Sequence, residues 1–364
     1  MTSPLEKLRN DVYKDDQVGK IEAKTSCRLI SEDGNKMIYE GNYPVEPYKE
    51  GARGTYGGDF IAQGLNVAWE SVGRPNFQPH SIHSYFVKAG SKDSLLRWEV
   101  IKVSDSRSFS NRIALAYQSH TNQLCFTLQC SFTKDNHLDK RNADHQKLIA
   151  SGADIKTVPF QFKRNPNPKF FKYKDEIEDL LYFEHTNGNI AHAIPREIFS
   201  KTKNFDMNRI GDEELGFYVK FLDDYNLGKD YVRQSFLGLA FSSDSLWLAT
   251  LVKALGLPVT LKDADFFRVS LDHTLYFHDL NFDSSTWLYV DYRFLSMGNN
   301  RILAVINFYT LDGKAICTAV QEAYGFLPGE LIEKSRKQHE KYHGKSATSI
   351  SSSDGVRTQQ VAKL

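Results

Sequence analysis

Between Ser270 and His278 the chain reads Ser-Leu-Asp-His-Thr-Leu-Tyr-Phe-His, small or polar residues alternating with Leu and Phe. That period of two predicts a half-buried strand. A shorter copy, Ser81-Ile82-His83-Ser84-Tyr85-Phe86, lies half a chain earlier, with Ile82 read where Asp272 stands. The repeat continues downstream. Trp98 leads to Asn111-Arg112-Ile113 as Trp287 leads to Asn300-Arg301-Ile302, and Leu128-Gln129-Cys130 matches Val320-Gln321-Glu322. Two copies of one unit predict a pseudo-symmetric architecture. Only the second copy carries the carboxylate.

Each copy begins with a helical pattern. In the first, Gly57-Gly58 precede Phe60, Ile61, Leu65, Ala68, Trp69 and Val72 at helical spacing, and Gly73-Arg74-Pro75 stops the run. Strands are predicted at 81–87, 96–103, 108–118 and 124–132, close enough in sequence to pair as an antiparallel meander. In the second copy Ser242-Ser243-Asp244 offer helix caps before an apolar run from Leu246 to Leu255, closed by Gly256 and Pro258. Strands follow at 267–277, 287–294, 302–309 and 315–324, with Asp312-Gly313 as a hairpin turn. One enclosed helix followed by antiparallel strands, twice over, is α+β. The division predicted is 1–135 for the first unit and its leader, 136–216 for a polar connector, 217–333 for the second unit and 334–364 for a polar tail.

Composition narrows the partners. Lys plus Arg number 46 against 45 for Asp plus Glu, so no global field recommends nucleic acid, and an anionic ligand needs local contacts. No run of 18 apolar residues is present, so stable membrane insertion is not expected. The four cysteines form no C-x-x-C pair, and the pairs His80/His83 and His273/His278 offer no third ligand; neither a metal nor a cofactor is expected.

The chemistry concentrates in the second copy. In its last strand Gln321 shares a face with Ala315, Cys317, Ala319 and Ala323, a lone amide among small residues that needs partners if that face is covered. Asp272 stands in a strand whose first copy does without an acid, which makes it dispensable to the fold and a candidate for a site.

These segments together resemble the acyl-CoA thioesterase II family, whose members carry two hotdog units in one polypeptide. The residues that carry the resemblance are Gly57-Gly58 with Ala62-Gln63, the run from His80 to Gly90, Ser106-Arg107-Ser108-Phe109-Ser110, Ser243-Asp244-Ser245, Ser270-Leu271-Asp272-His273 with Phe277-His278, and Val320-Gln321-Glu322. The resemblance implies a double hotdog and hydrolysis of fatty acyl-CoA by a water molecule bound by an Asp, a Ser or Thr, and a Gln. Those roles fall on Asp272 and Gln321. The family's hydroxyl position, counted from Trp287, lands near Phe294, so Ser296 is the nearest hydroxyl. Gly57, Gly58, His83, Tyr85, Ser243 and Asp244 are expected to line the substrate site. A non-catalytic acyl-CoA binder and an enoyl-CoA hydratase are the alternatives. The closing Ala362-Lys363-Leu364 resembles a Ser-Lys-Leu-type address, which implies a peroxisomal import receptor as partner and the peroxisomal matrix as destination. Further self-association into a homo-oligomer is compatible with the internal pseudo-dimer.

Overall fold

A computed structural model describes residues 19–47, 54–134, 138–152, 162–185 and 188–344; the C-terminal tripeptide lies outside them. In chain order a short helix α1 (Lys20–Thr25) and the hairpin β1 (Cys27–Asp33) and β2 (Lys36–Gly41) precede α2 (Gly57–Glu70). Strands β3 (Phe77–Phe86), β4 (Leu96–Asp105), β5 (Phe109–Gln118) and β6 (Gln123–Lys134) follow, then α3 (Leu138–Ala150). Next come β7 (Leu181–His185), β8 (Ile190–Ile194), β9 (Leu215–Phe221) and α4 (Tyr231–Ser242). The second unit closes with β10 (Arg268–Phe277), β11 (Leu288–Gly298), β12 (Arg301–Tyr309), β13 (Ala315–Gly325) and α5 (Gly329–His343).

The strands form one antiparallel sheet in the order β1-β2-β4-β5-β6-β3-β10-β13-β12-β11-β9-β8-β7. The expected meander holds for β4, β5 and β6, but β3 pairs with β6 rather than with its sequence neighbour β4. This places β3 at the free edge of the first unit, where it meets β10 with Ser84 opposite His273 and Leu275 opposite Ile82. The two units therefore share a continuous ladder, and neither leaves an open edge at the junction. The stretch read as a connector holds β7, β8 and the start of β9, three strands of this same sheet.

The two long helices lie antiparallel to one another against the sheet. Tyr56 Oη donates to the Phe241 carbonyl at 2.7 Å at one end, and Trp69 packs edge-on to Phe236 with centroids 5.6 Å apart near the other. Trp98 on β4 donates its indole N–H to Gln63 of α2 at 2.7 Å, so this buried amide oxygen is satisfied by the strand covering it. The apolar run expected to be a helix from Leu246 is different in detail. The long helix of the second unit is α4, which ends before that run; residues Trp247–Thr250 form a 3₁₀ turn and Leu251–Ala254 a single helical turn. Ser243 is thus a C-terminal cap where the sequence pattern suggested the start of a helix. Tyr231–Ala254 has the length and hydropathy of a membrane span, yet its most apolar window is 83% buried inside the fold, as a core helix should be.

Candidate active site

Asp230 caps α4, its Oδ1 accepting from Arg233 N at 3.0 Å, and the helix then runs through Phe236, Leu237, Leu239, Ala240 and Phe241, all buried. At its end Ser243 Oγ donates to the Ala240 carbonyl at 2.8 Å. The chain leaves the helix through Asp244-Ser245-Leu246, with Leu246 at φ 68°. A bulky residue in the left-handed region costs on the order of 1–3 kcal/mol, and such strain persists only where the surroundings hold it.

The N-terminus of α2 abuts this turn. A Cβ on Gly58 would stand 2.0 Å from the Phe241 carbonyl oxygen, and one on Gly57 would stand 2.3 Å from Asp244 Oδ2. Glycine is required at both positions so that the start of one helix can touch the end of the other. That approach lets the Gly57 backbone N–H bond the Asp244 carboxylate.

Two strands complete the cluster. Gln321 Nε2 on β13 donates to Asp244 Oδ1 at 2.5 Å and to Ser270 Oγ on β10 at 3.0 Å, while Ser270 Oγ donates to the same Asp244 oxygen at 3.2 Å. Carboxylate, hydroxyl and amide from three separate elements therefore converge, joined by the first N–H of α2. Burial pushes the Asp244 carboxyl up to about 6; its bonds to Gln321, Ser270, Trp247 and Gly57 hold back a larger rise. His273, fully buried beside them, bonds Ser243 through Nε2 at 2.9 Å, and burial lowers it to about 4, so it is neutral at physiological pH. Among the described residues no three His, Cys, Asp or Glu side chains are grouped as a metal ion would need.

Of the residues expected from sequence, the structure brings together Gln321, Asp244, Gly57 and Gly58, with Ser243 alongside. It does not bring in Asp272. A β-bulge between Ser270 and Asp272 sets Asp272 opposite Glu322, and its Oδ1 accepts from Glu322 N at 3.1 Å. Neighbours in a strand face opposite ways, so Asp272 shares the face of Glu322 and not that of Gln321. Ser296 is exposed in β11 beside a second bulge and is paired with Leu303. His83 and Tyr85 are also on the outer face: Tyr85 is 61% exposed and His83 packs edge-on against Tyr276. Phe294, at the expected hydroxyl position, is buried against Trp247.

Ser270 is the residue that pattern reading missed, and Asp244 the one it placed in a lesser role. A strict period of two puts Ser270 and Asp272 on one face; the bulge adds one residue and separates them. The signal available was Ser243-Asp244-Ser245 itself, an acid directly after a long apolar segment and matched in sequence by an unusual Gly-Gly helix start.

Comparison with known proteins bears on the fold that carries this site. Residues 45–133 match the family model for the acyl-CoA thioesterase N-terminal domain, and residues 180–324 match that for the acyl-CoA thioesterase C-terminal domain. The second match takes in β7 to β9 as well as the second repeat. The chain is similar to the peroxisomal acyl-coenzyme A thioester hydrolase 1 of Saccharomyces cerevisiae, 23% identical over 75% of this chain and 86% of the yeast protein. Among solved structures it resembles the acyl-CoA thioesterase II TesB2 of Mycobacterium marinum, with a TM-score of 0.57 and 20% identity over 85% of this chain and 98% of that one. It also resembles a hot dog fold protein of Alicyclobacillus acidocaldarius, with a TM-score of 0.53 and 16% identity over 85% and 98%. With both family domains matched in order along one double-hotdog sheet, the chain belongs to the acyl-CoA thioesterase family.

Proposed function

We propose that this thioesterase cleaves acyl-CoA by direct attack of a water molecule held among Asp244, Ser270 and Gln321. The observation that carries the reading is the mutual hydrogen bonding of those three side chains at the start of α2. A thioester is already activated, so catalysis needs a placed water and a proton acceptor more than a covalent nucleophile. Asp244, ionised above about pH 6, takes the proton as the water oxygen bonds the carbonyl carbon. Gln321 cannot titrate; it orients the water, and Ser270 fixes the carboxylate rotamer. Past Gly57, whose N–H is taken by Asp244, the N–H groups of the first turn of α2 have no partner within the helix and are available to the negative charge that grows on the carbonyl oxygen. Collapse of the tetrahedral intermediate breaks the C–S bond, and the thiolate of CoA recovers the proton from Asp244. The cysteines fit no nucleophilic role: burial pushes Cys27 and Cys125 up to about 12 and raises Cys130 and Cys317 well above the usual thiol range.

Asp244→Asn is expected to lower kcat by about 10²–10⁴ with the fold retained, while Asp272→Asn stays within a few-fold of the parent. The acid limb of kcat/KM in the parent should fall near pH 6. Thiol release from acyl-CoA measures all three. Full activity in Asp244→Asn together with loss in Asp272→Asn would return the general base to β10.

Peroxisomal residence is supported by the likeness to the yeast peroxisomal thioester hydrolase. A fluorescent fusion of the full chain should co-localise with a peroxisomal marker; diffuse cytosolic signal refutes it.

A further inference from the structure

Two serines flank Asp244, and each bonds a buried histidine from a different strand. Ser243 Oγ meets His273 Nε2 of β10 at 2.9 Å, and Ser245 Oγ meets His192 Nε2 of β8 at 2.9 Å. We propose that the Ser245–His192 pair is a positioning device for the thioesterase reaction, fixing the turn that carries Asp244 and, through it, the carboxylate's direction toward Gln321 and the α2 start. This rests on the reading of Asp244 as the general base.

His192 is fully buried, stacked on Phe183 with centroids 4.9 Å apart and edge-on to Phe217 at 5.6 Å. Its Nδ1 has no hydrogen-bond partner among the described residues. An unpaired buried acceptor costs less than an unpaired buried N–H, so the hydrogen sits on Nε2 and is donated to Ser245 Oγ. Burial and the neighbouring His185 hold His192 well below the usual histidine range, so this donor is a neutral imidazole throughout the working pH.

The turn needs such a tether. Leu246 holds a left-handed backbone immediately after Ser245, and the local backbone bonds are Ser245 N to the Ser242 carbonyl at 3.2 Å and Trp247 N to the Ser245 carbonyl at 2.9 Å. Leu246 follows Asp244 by two residues, and Asp244 Oδ2 lies so close to Gly57 that a Cβ there would stand 2.3 Å from it, so the course of this turn sets where the carboxylate sits. His273 anchors the turn from the helix side and His192 from the far edge of the sheet. The strand that supplies His192 lies in the stretch that looks like a connector in the sequence, which gives β8 a reason to be ordered.

The test uses Ser245→Ala, His192→Phe and His192→Gln in the full chain. Glutamine can present an N–H near the position of Nε2; phenylalanine keeps the stacking and removes the donor. Ser245→Ala and His192→Phe should each lower kcat by about 10-fold with KM within about twofold, and His192→Gln should recover most of the loss. The double variant Ser245→Ala/His192→Phe should be no worse than either single one. The acid limb of kcat/KM should move to lower pH in both damaging variants, because a freed Asp244 is better hydrated; a merely structural loss would leave the limb in place. Unchanged kcat and an unchanged limb in folded Ser245→Ala overturn the inference, as does a loss confined to KM or additive losses in the double variant. Asp244→Asn, assayed alongside, separates the failures: if it is active the base assignment falls, and if it is inactive while Ser245→Ala is normal only the tether falls.

Discussion

The two repeats share a backbone and differ in the chemistry hung on it. Both long helices end on a serine whose Oγ turns back to a carbonyl three residues earlier, Ser71 to Ala68 at 2.7 Å and Ser243 to Ala240 at 2.8 Å. The next residue is Val72 in the first repeat and Asp244 in the second. Both central strands carry a bulge, between Pro79 and Ser81 in β3 and between Ser270 and Asp272 in β10. Aligned on those bulges, Pro79 stands for Ser270, Ile82 for His273, and their partners Cys130 and Gln321 correspond. The first repeat thus has Val, Pro, Ile and Cys where the second has Asp, Ser, His and Gln. A hotdog needs none of the four polar groups in order to fold, and burying Asp244 is unfavourable enough to lift its pKa to about 6. Their presence at one end of the helix pair only is the mark of a site. At the other end, between the close of α2 and the start of α4, lies a cleft of about 390 Å³ lined by Trp69, Arg74, Phe77 and Arg233, with Arg233 paired to Glu70 at 2.7 Å.

The largest expected contrast is between the two members of the last pair. Gln321→Met should cost about 10²–10³ in kcat, since it removes both hydrogen bonds that hold Asp244 and Ser270 in place and the amide oxygen left to accept from the water. Cys130→Ala, the matching change in the first repeat, should leave kcat alone and lower stability by about 1 kcal/mol, since it removes one buried sulfur from a packed face. Hydrolysis assays and urea melts on both variants check this. A Cys130→Ala protein that folds but does not hydrolyse would mean that the first repeat also takes part in the chemistry.

Much of this is legible in the amino-acid sequence. The duplication, the antiparallel strands and the helix starting at Gly57 follow from period and punctuation, because core faces and tight turns leave strong local traces. Gln321 stood out as a polar residue on an otherwise small and apolar strand face. The partners of Gln321 did not stand out, for a reason that lies in the backbone. A bulge adds one residue to a strand without a distinctive residue type, and every face assignment on its far side inverts. The absence of an acid from the first copy and the family resemblance point to Asp272, which caps Glu322, and the repeat motif matches Gln321 with Gln129, which is exposed. The role of β8 was hidden for another reason: His192 meets Ser245 across 53 residues of chain, and no local pattern encodes that pairing.

The smallest expected effect probes the same contrast through stability. Asp244 has a folded-state pKa of about 6 against an ordinary value of 3.8, whereas its counterpart Val72 has nothing to titrate. A carboxyl raised on folding contributes its full stability below the unfolded pKa and loses it as pH rises through the folded one, because the unfolded chain sheds the proton first. Asp244 therefore makes the native protein progressively less stable as the solution moves from about pH 3 to about pH 7, by about 3 kcal/mol for a shift of about 2 pKa units at 1.36 kcal/mol per unit. His273, shifted down to about 4, works in the opposite direction, losing stability as pH falls below the unfolded histidine value of about 6.5. The raw pH profile of the parent therefore mixes Asp244 with His273 and with two further histidines, His185 and His192, which burial shifts the same way. The difference between the parent and Asp244→Asn isolates the carboxyl, since both proteins keep His273. Urea melts across that range should show the parent losing about 3 kcal/mol relative to the variant. A flat difference would give Asp244 an ordinary pKa, and the two helix ends would then differ in side-chain identity alone and not in the electrostatic poise of a base.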